Sequence, residues 1–342
     1  MASNRSTIAY EMMLNKMRAV IVSQQGPIES RPLKLVDLPI PTAGDGEVLI
    51  RVSACGVCRT DLHITEGDLP LRLTPVTPGH QIVGTVEGTG ERVGVAWLHS
   101  TDGTCRFCTS GHENLCENAQ FTGWTRDGGF AEFVVGAQDF IYPIPDGFDD
   151  IQAAPLLCAG IIGYRALRLC GLSDWRGARL GIYGFGAAGH VCIQIARARG
   201  ADVYVATRDR EKHQSLAEEL GAVWVGDTFD TPPVKLDASI IFAPAGEIVP
   251  AALSALDRGG SLVLGGIHMS QIPQFDYELL YGERLIRSVA NNTREDGREF
   301  LAEAASIPVK TSVQEFPLDQ ANDSLIALKH DAVRGAAVLK IR

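Results

Sequence analysis

A glycine-rich loop between a strand-like run and an apolar helical stretch constrains the fold of this chain more than any other feature. The run 179–183 leads into Gly184-Phe-Gly-Ala-Ala-Gly189, and the helical pattern that follows ends at Gly200. In a Gly-x-Gly-x-x-Gly turn, the first glycine permits the bend, the second admits a pyrophosphate, and the third lets helix and strand pack closely. A second strand-like run at 202–206 gives the spacing of a dinucleotide-binding βαβ unit, so a Rossmann-type parallel sheet is predicted.

Strand and helix patterns alternate from this unit onward, which indicates a doubly wound parallel sheet with helices on both faces. The candidate strands there are 222–225, 239–242, 261–264 and 285–289, and the candidate helices are 210–220 and 248–257. The preceding part instead has short strands between Gly- and Pro-rich turns, typical of an antiparallel β domain. Its candidate strands are 18–22, 48–52, 82–86, 92–96 and 130–135, and 335–341 is the final strand. An Ala-rich helical segment, 151–169, joins the two parts and is predicted to break at Gly160 and Gly163.

Charge and hydropathy exclude two broad functional classes. The net charge is -10 and dense Lys/Arg runs are absent, which argues against a nucleic-acid partner. Apolar stretches stay below the ~18 residues that a membrane span needs. Residues 1–16 lack the pattern of a secretory signal, so we expect an N-terminal tail and a folded part that starts at Met17. The eight cysteines then indicate metal binding in a reducing cytoplasm rather than disulfides.

The second informative stretch is Cys58-Arg-Thr-Asp-Leu-His63, considered together with His80 and Cys158. Two thiolates and one imidazole can hold zinc and leave the fourth position open for water or a substrate oxygen. An open position is typical of a catalytic zinc rather than a structural one. A buried thiol or a core histidine is the ordinary alternative for each of these residues.

The end of the second strand of the βαβ unit bears on cofactor choice. An NAD site usually has Asp or Glu there to bind the ribose 2′-hydroxyl, but this chain has Thr207 followed by Arg208. Arg208 can pair with a 2′-phosphate, whereas an inward-facing Asp209 would oppose it. We therefore expect NADP(H) in preference to NAD(H), with an exposed surface charge as the alternative for Arg208.

The motifs together resemble the zinc-dependent alcohol dehydrogenases of the medium-chain dehydrogenase/reductase superfamily, from about Met17 to the C-terminus. The motifs that carry the resemblance are Cys55-Gly-Val-Cys58-Arg-Thr-Asp-Leu-His63, Pro78-Gly-His80, Gly111-His-Glu-Asn-Leu-Cys116 and the glycine loop. The resemblance implies an α/β protein in which a GroES-like β-rich catalytic domain is interrupted by a Rossmann cofactor domain. The expected bounds are 17–157 with 293–342 for the catalytic domain and 158–292 for the cofactor domain, with the active site in the cleft between them.

The resemblance also implies roles for individual residues. The catalytic zinc ligands would be Cys58, His80 and Cys158, and Asp61 would orient the ligating imidazole. Thr60 and His63 would relay a proton from the bound alcohol to solvent. Arg59 would contact the cofactor pyrophosphate beside Gly184, Gly186, Ala187, Ala188 and Gly189. Cys55, Cys170 and Cys192 match no ligand position and are predicted to be buried free thiols.

A second zinc site is predicted with one altered ligand. The family's structural loop has four cysteines spaced C-x2-C-x2-C-x7-C, and this chain keeps the spacing as Asp102, Cys105, Cys108 and Cys116. A carboxylate oxygen can bind zinc, so two zinc ions per chain are expected, with a zinc-free loop of three free cysteines as the alternative.

Another departure lies beside the catalytic ligand. Gln81 follows His80 where the family usually has glutamate, which removes a negative charge near the metal. Substrate-pocket positions by resemblance are Leu69, Trp97, Trp124 and Ile267, and ordinary core packing is the alternative for each. Leu69 stands where some relatives have tryptophan, so more room for medium-length or aromatic alcohols and aldehydes is expected.

The function predicted from the sequence is zinc-dependent interconversion of alcohols and aldehydes or ketones with NADP(H). One rival is an NAD-dependent polyol dehydrogenase. Another is a zinc-free quinone reductase or a non-catalytic NADPH-binding protein, against which the complete set of zinc ligands argues. By analogy with the family, a homodimer or homotetramer is expected.

Overall fold

The computed structural model of the chain describes residues 16–307 and 309–342. The predicted N-terminal tail lies outside these residues except for Lys16, which opens the first strand one residue before Met17. None of the helices in the described ranges combines the length and apolar character needed to cross a bilayer.

An antiparallel β-rich part comes first, as the turn-rich sequence predicts. Its strands are β1 Lys16–Ile21, β2 Lys34–Pro39, β3 Glu47–Val57, β4 Gln81–Val86, β5 Arg92–Val95, β6 Leu98–Ser100, β7 Gln120–Phe121, β8 Phe133–Ala137 and β9 Ile141–Pro143. The first helix of this part, α1, spans Arg59–Glu66 directly after β3, and the short helix α2 spans Arg106–Thr109. The sequence patterns did not predict α1, although it carries four of the residues singled out for chemistry: Arg59, Thr60, Asp61 and His63.

The joining segment folds differently from the prediction. Helix α3 spans Asp150–Ala153, a 3-10 turn spans Ala154–Leu157, and helix α4 spans Ala159–Leu169. The predicted breaks at Gly160 and Gly163 are therefore wrong, because α4 runs through both glycines. A Cβ at Gly160 would lie 2.4 Å from the Phe300 ring, so this glycine permits close packing and does not end the helix. The interruption falls instead at Cys158.

The parallel sheet follows the predicted alternation closely. Its strands are β10 Arg179–Tyr183, β11 Asp202–Ala206, β12 Trp224–Gly226, β13 Leu236–Ile241, β14 Leu256–Leu264 and β15 Leu285–Ser288. They run parallel in the order β12-β11-β10-β13-β14-β15. The intervening helices are α5 Ala187–Ala198, α6 Ser215–Glu219, which follows a π-helical turn Arg210–Gln214, and α7 Ile248–Ala255.

The C-terminal segment returns to the first sheet. Helix α8 Arg294–Ser306 is followed by β16 Val313–Pro317, helix α9 Ala321–Lys329 and β17 Ala336–Lys340. Strand β17 pairs antiparallel with β3, which gives the order β16-β17-β3-β4-β5-β9, with β8 also paired to β3. This return brings the segment between α9 and β17 next to the loop that follows β11.

Candidate functional site

The carboxylate of Asp61, fully buried on α1, connects three stretches of chain. Its Oδ2 accepts a hydrogen bond from the Cys58 backbone N–H at 2.9 Å. Its Oδ1 accepts the Gly79 N–H at 3.1 Å and lies 3.2 Å from His80 Nδ1. The N-terminus of α1 favours a negative side chain at this position. Asp61 therefore fixes the start of α1 and the entry to β4 relative to each other.

The three predicted ligands of the catalytic metal come together at this point. The Sγ atoms of Cys58 and Cys158 and a ring nitrogen of His80 all lie within 4.8 Å of one another. His80 Nδ1 is bonded to Asp61, and His80 Nε2 is buried with no hydrogen-bond partner. A buried, unpaired imidazole nitrogen facing two thiols fits a metal ion, which would satisfy it.

The electrostatics of the set also fit a cation. Burial pulls the pKa of His80 down, but the neighbouring Asp61 carboxylate and Cys58 thiolate outweigh it and raise that pKa to about 10. A hydrogen bond from the Cys158 thiol lowers the pKa of Cys58, and the same interaction raises the pKa of Cys158. The set thus favours a positive charge beside a thiolate, and a metal ion that bound here would displace the proton from His80.

The predicted proton-relay residues lie on α1 beside this set. Thr60 is buried, and its Oγ1 is 3.6 Å from Cys58 Sγ. The Nδ1 atom of His63 lies 2.7 Å from Asp68 Oδ2, and the His63 ring centroid is 4.9 Å from that of His268. Because Asp68 holds Nδ1, Nε2 is the nitrogen of His63 left to exchange a proton. Sequence reasoning missed Asp68 and His268; the spacing of Asp68 five residues after His63 was the available signal for the first.

Aromatic side chains form a wall next to the ligand His80. Trp97 meets the His80 ring edge-on at 5.0 Å and stacks on Trp124 at 5.9 Å. Trp124 is fixed by a 2.9 Å hydrogen bond from Nε1 to the Pro70 carbonyl, and half-buried Leu69 packs in the same apolar cluster. Ile267 is 51% exposed and precedes His268, so it lies on the parallel-sheet side of the same region.

The glycine loop has the geometry that a pyrophosphate needs. Gly184 has a φ of +86°, and a Cβ there would come within 2.9 Å of the Ala243 nitrogen. A Cβ at Gly189 would come within 2.9 Å of the Gly184 carbonyl oxygen. At Gly186, by contrast, a Cβ would meet no protein atom within 4 Å, so the space in front of the loop is open. Helix α5 begins at Ala187 and continues with Ala188, which points its N-terminus at this space.

The loop after β11 carries the residues that the sequence singles out for cofactor choice. Arg208 is exposed, whereas Thr207 is buried. Asp209 does not compete, because its Oδ1 accepts the Lys212 backbone N–H at 3.0 Å and so caps the following turn. That hydrogen bond also lowers the pKa of Asp209. Arg59, the predicted pyrophosphate contact, donates from Nη2 to the Leu328 carbonyl at 3.4 Å.

The second predicted metal set is also assembled. One oxygen of Asp102 and the Sγ atoms of Cys105, Cys108 and Cys116 lie within 4.8 Å of one another. Asp102 Oδ1 accepts the Cys105 N–H at 2.9 Å, and its Oδ2 accepts a hydrogen bond from Asn118 at 2.9 Å. Asn118 comes first among the contacts that depress the Asp102 pKa. The sequence did not predict a role for Asn118. Its hydrogen bond to Asp102 is the kind of contact that orients a ligating carboxylate.

Gln81 and the three cysteines outside the two metal sets are all buried. Gln81 is buried at the start of β4, opposite Gly56, and a Cβ at Gly56 would lie 2.9 Å from the Gln81 side chain. A neutral amide at this buried position avoids the desolvation of a charged glutamate. Cys55, Cys170 and Cys192 are buried free thiols, and burial raises the pKa of each.

Comparisons with known proteins agree with this geometry. Residues 44–146 match the family model described as alcohol dehydrogenase GroES-like domain, and residues 187–306 match zinc-binding dehydrogenase. The chain is 46% identical over 340 residues to the probable alcohol dehydrogenase AdhA of Mycobacterium tuberculosis (strain CDC 1551 / Oshkosh), with 95% of this chain and 97% of that protein covered. It is 36% identical to an alcohol dehydrogenase of Geobacillus stearothermophilus over 344 residues, with 95% and 100% covered. Among solved structures, a cinnamyl alcohol dehydrogenase of Sorghum bicolor has a TM-score of 0.86 at 27% identity, with 95% of this chain and 97% of that chain covered.

The Asp61→Asn variant tests whether the buried carboxylate holds the metal ligands in place. We expect zinc affinity to fall about 10- to 100-fold, as is typical when the group orienting a ligating histidine is lost. Competition with a chromogenic chelator measures this affinity directly. Asp68→Asn is the matched control, since Asp68 contacts a histidine that is not a ligand. Wild-type zinc affinity in Asp61→Asn would contradict the role assigned to this carboxylate.

Proposed function

Because the chain belongs to the zinc-dependent alcohol dehydrogenases of the medium-chain superfamily, we propose that it interconverts primary or secondary alcohols with aldehydes or ketones, using zinc and preferring NADP(H). One observation carries the proposal: Cys58, His80 and Cys158 converge, and His80 Nε2 is buried without a partner. We further propose a catalytic domain of 17–157 with 293–342 around a cofactor domain of 158–292. Metal sites that depend on free thiolates suit a reducing compartment, so we propose the cytoplasm as the location.

The chain's own residues have defined tasks in this reaction. Cys58, His80 and Cys158 would hold the zinc, which when bound supplies a Lewis acid for the substrate oxygen. Arg59 and the glycine loop would hold the pyrophosphate of the dinucleotide cofactor, which when bound would supply hydride transfer from its nicotinamide. The Thr60 hydroxyl lies beside the ligand Cys58 and would accept the alcohol proton at Oγ1. His63 would carry the proton outward at Nε2, while Asp68 holds its other nitrogen in place.

The preference for NADP(H) is supported by the loop after β11. Thr207 gives no carboxylate for a ribose 2′-hydroxyl, and Asp209 is turned away to cap the next turn. Arg208 is left as the charged group at the position that a 2′-phosphate would occupy. The same absence of a carboxylate, together with the neutral Gln81, disfavours an NAD-dependent polyol dehydrogenase. The assembled zinc ligands disfavour a quinone reductase or a non-catalytic NADPH-binding protein.

An apolar and aromatic substrate is supported by the wall beside the zinc ligands. Trp97 packs edge-on against His80 and stacks on Trp124, while Leu69 contributes to the same cluster. Ile267 would close the pocket from the cofactor side. The structurally similar sorghum protein is a cinnamyl alcohol dehydrogenase, in line with an aromatic substrate.

A panel of substrates and cofactors tests the proposed function. We expect NADPH-dependent reduction of aromatic and medium-chain aldehydes to exceed activity on sorbitol or quinones by at least about tenfold, since two wall tryptophans favour apolar surface. Absorbance at the nicotinamide band gives the rates with NADPH and NADH. Cys58→Ser should abolish turnover yet bind NADPH, because it removes a zinc ligand and leaves the glycine loop intact. Sorbitol oxidation with NAD as the best reaction would contradict the proposal, as would full turnover in Cys58→Ser.

The second zinc is tested through its altered ligand. We expect two zinc ions per wild-type chain and one in Asp102→Ala, measured by elemental analysis after dialysis. Asp102→Asn keeps the turn hydrogen bonds but loses the anionic oxygen, so it should also lose this zinc. Asp102→Cys should restore two, since it recreates a four-cysteine site. Two zinc ions in both Asp102→Ala and Asp102→Asn would reject Asp102 as a ligand.

A homodimer or homotetramer is proposed from the edge of the parallel sheet at β15, which among the described strands pairs with β14 alone. Strand β15 pairs with β14 on one side, and Leu285 on it is 46% exposed. The adjacent Tyr277 and Tyr281 are 73% and 69% exposed. Light scattering should therefore give a multiple of the 36.8 kDa chain mass, and Leu285→Lys should shift it toward one chain because it puts charge into the interface. A single-chain mass for the wild type would contradict this proposal.

A further inference from the structure

A residue of the C-terminal segment, Asp331, pairs with basic side chains that follow β11. Asp331, which lies between α9 and β17, accepts a hydrogen bond from Arg208 Nε at Oδ2, at 2.9 Å. Its Oδ1 lies 3.2 Å from His213 Nε2. Its backbone carbonyl accepts a hydrogen bond from Lys212 Nζ at 3.1 Å. Three basic side chains of one short segment thus converge on a residue more than one hundred positions away.

The backbone holds Asp331 in this position. Its φ is +57°, a left-handed conformation that Asp and Asn tolerate better than most residues. Its N–H donates to the Leu328 carbonyl at 3.3 Å, which closes the turn after α9. Its carboxylate is about one quarter exposed, whereas the Arg208 side chain is about two thirds exposed. The anion is therefore fixed by the fold, and the arginine is the more exposed partner.

The surrounding charges leave Arg208 with a single fixed anion. Of the other carboxylates here, Asp209 caps the turn that begins at Arg210 and pairs with Lys212. Glu218 pairs with Arg210, and Glu219 pairs with Arg334. Within the described residues, Asp331 is accordingly the acidic side chain bonded to Arg208.

We propose that Asp331 is a specificity-determining residue of the cofactor site, because its carboxylate competes with the 2′-phosphate of NADP(H) for Arg208. This inference rests on the proposed NADP(H) preference. A 2′-phosphate at Arg208 would stand close to a fixed negative charge, which repels it. A ribose that ends in a 2′-hydroxyl carries no charge for Asp331 to repel. The selectivity for NADP(H) is then set by the balance between Arg208 and Asp331 rather than by Arg208 alone.

The test uses Asp331→Asn, which keeps the size and the tolerance for a positive φ but removes the charge. Dissociation constants for NADP+ and NAD+ are measured by calorimetric titration, without substrate. We expect the NADP+ constant to fall about 3- to 10-fold, the effect of removing one screened like charge, and the NAD+ constant to stay within about twofold. Asp323→Asn is the matched control: Asp323 also pairs with an arginine, Arg31, but lies away from the loop after β11. It should change neither constant.

Three results would overturn the inference. Equal changes in the dissociation constants of both cofactors would mean that Asp331 only links the two parts of the chain and does not select the cofactor. Weaker NADP+ binding in Asp331→Asn would show that the carboxylate assists the phosphate. Unchanged NADP+ binding would remove the competition. Arg208→Ala separates these from failure of the proposed preference: if that variant loses NADP+ affinity selectively, the preference stands whatever Asp331→Asn shows. Thermal melting of each variant confirms that it is folded.

Discussion

The buried carboxylate of Asp61 is the interaction on which the catalytic geometry depends. It has no exposed surface, and it accepts hydrogen bonds from the backbone at Cys58 and Gly79 while facing the His80 ring. Removing one partner of a buried charge typically costs about 3–5 kcal/mol, so the loss of any of these three contacts is expected to be strongly destabilising. The start of α1 and the entry to β4 are therefore held together by the protein's own hydrogen bonds. Cys158 reaches the same point from the interruption before α4, which frees it from helical geometry.

Local sequence signals predicted the parallel sheet well. Strands β10 and β11 have the predicted bounds, because each run of mostly buried apolar residues ends at a glycine or a polar turn residue. The ligand sets were also predictable, since their spacing is a short-range property and the resemblance supplied the distant members. The position of the break before α4 could not be predicted from the sequence. Glycine suggests a helix end by propensity, whereas packing against Phe300 decides the actual role of Gly160.

The parts that could not be predicted depend on contacts between distant positions. His268 lies against His63, and Asp331 pairs with Arg208, in both cases across the boundary between the two sheets. No periodicity or spacing in the sequence encodes which loops meet there. Asn118, which supports Asp102, illustrates the same point at shorter range: an asparagine in a loop has many structural roles, and only its hydrogen bond to the carboxylate distinguishes this one.

The contacts at the candidate metal site and at the loop after β11 differ in strength. Around Cys58, His80 and Asp61 they are buried, so the candidate metal ligands are held in one geometry. At the far end, Arg208 and Asp331 form a partly exposed ion pair, a class worth only about 0–1 kcal/mol. Under the proposed competition, a 2′-phosphate would exchange with that carboxylate without disturbing the candidate metal ligands. Rigid candidate ligands at one site and an exchangeable ion pair at the other would let a cofactor enter and leave while the proposed reacting groups stay aligned.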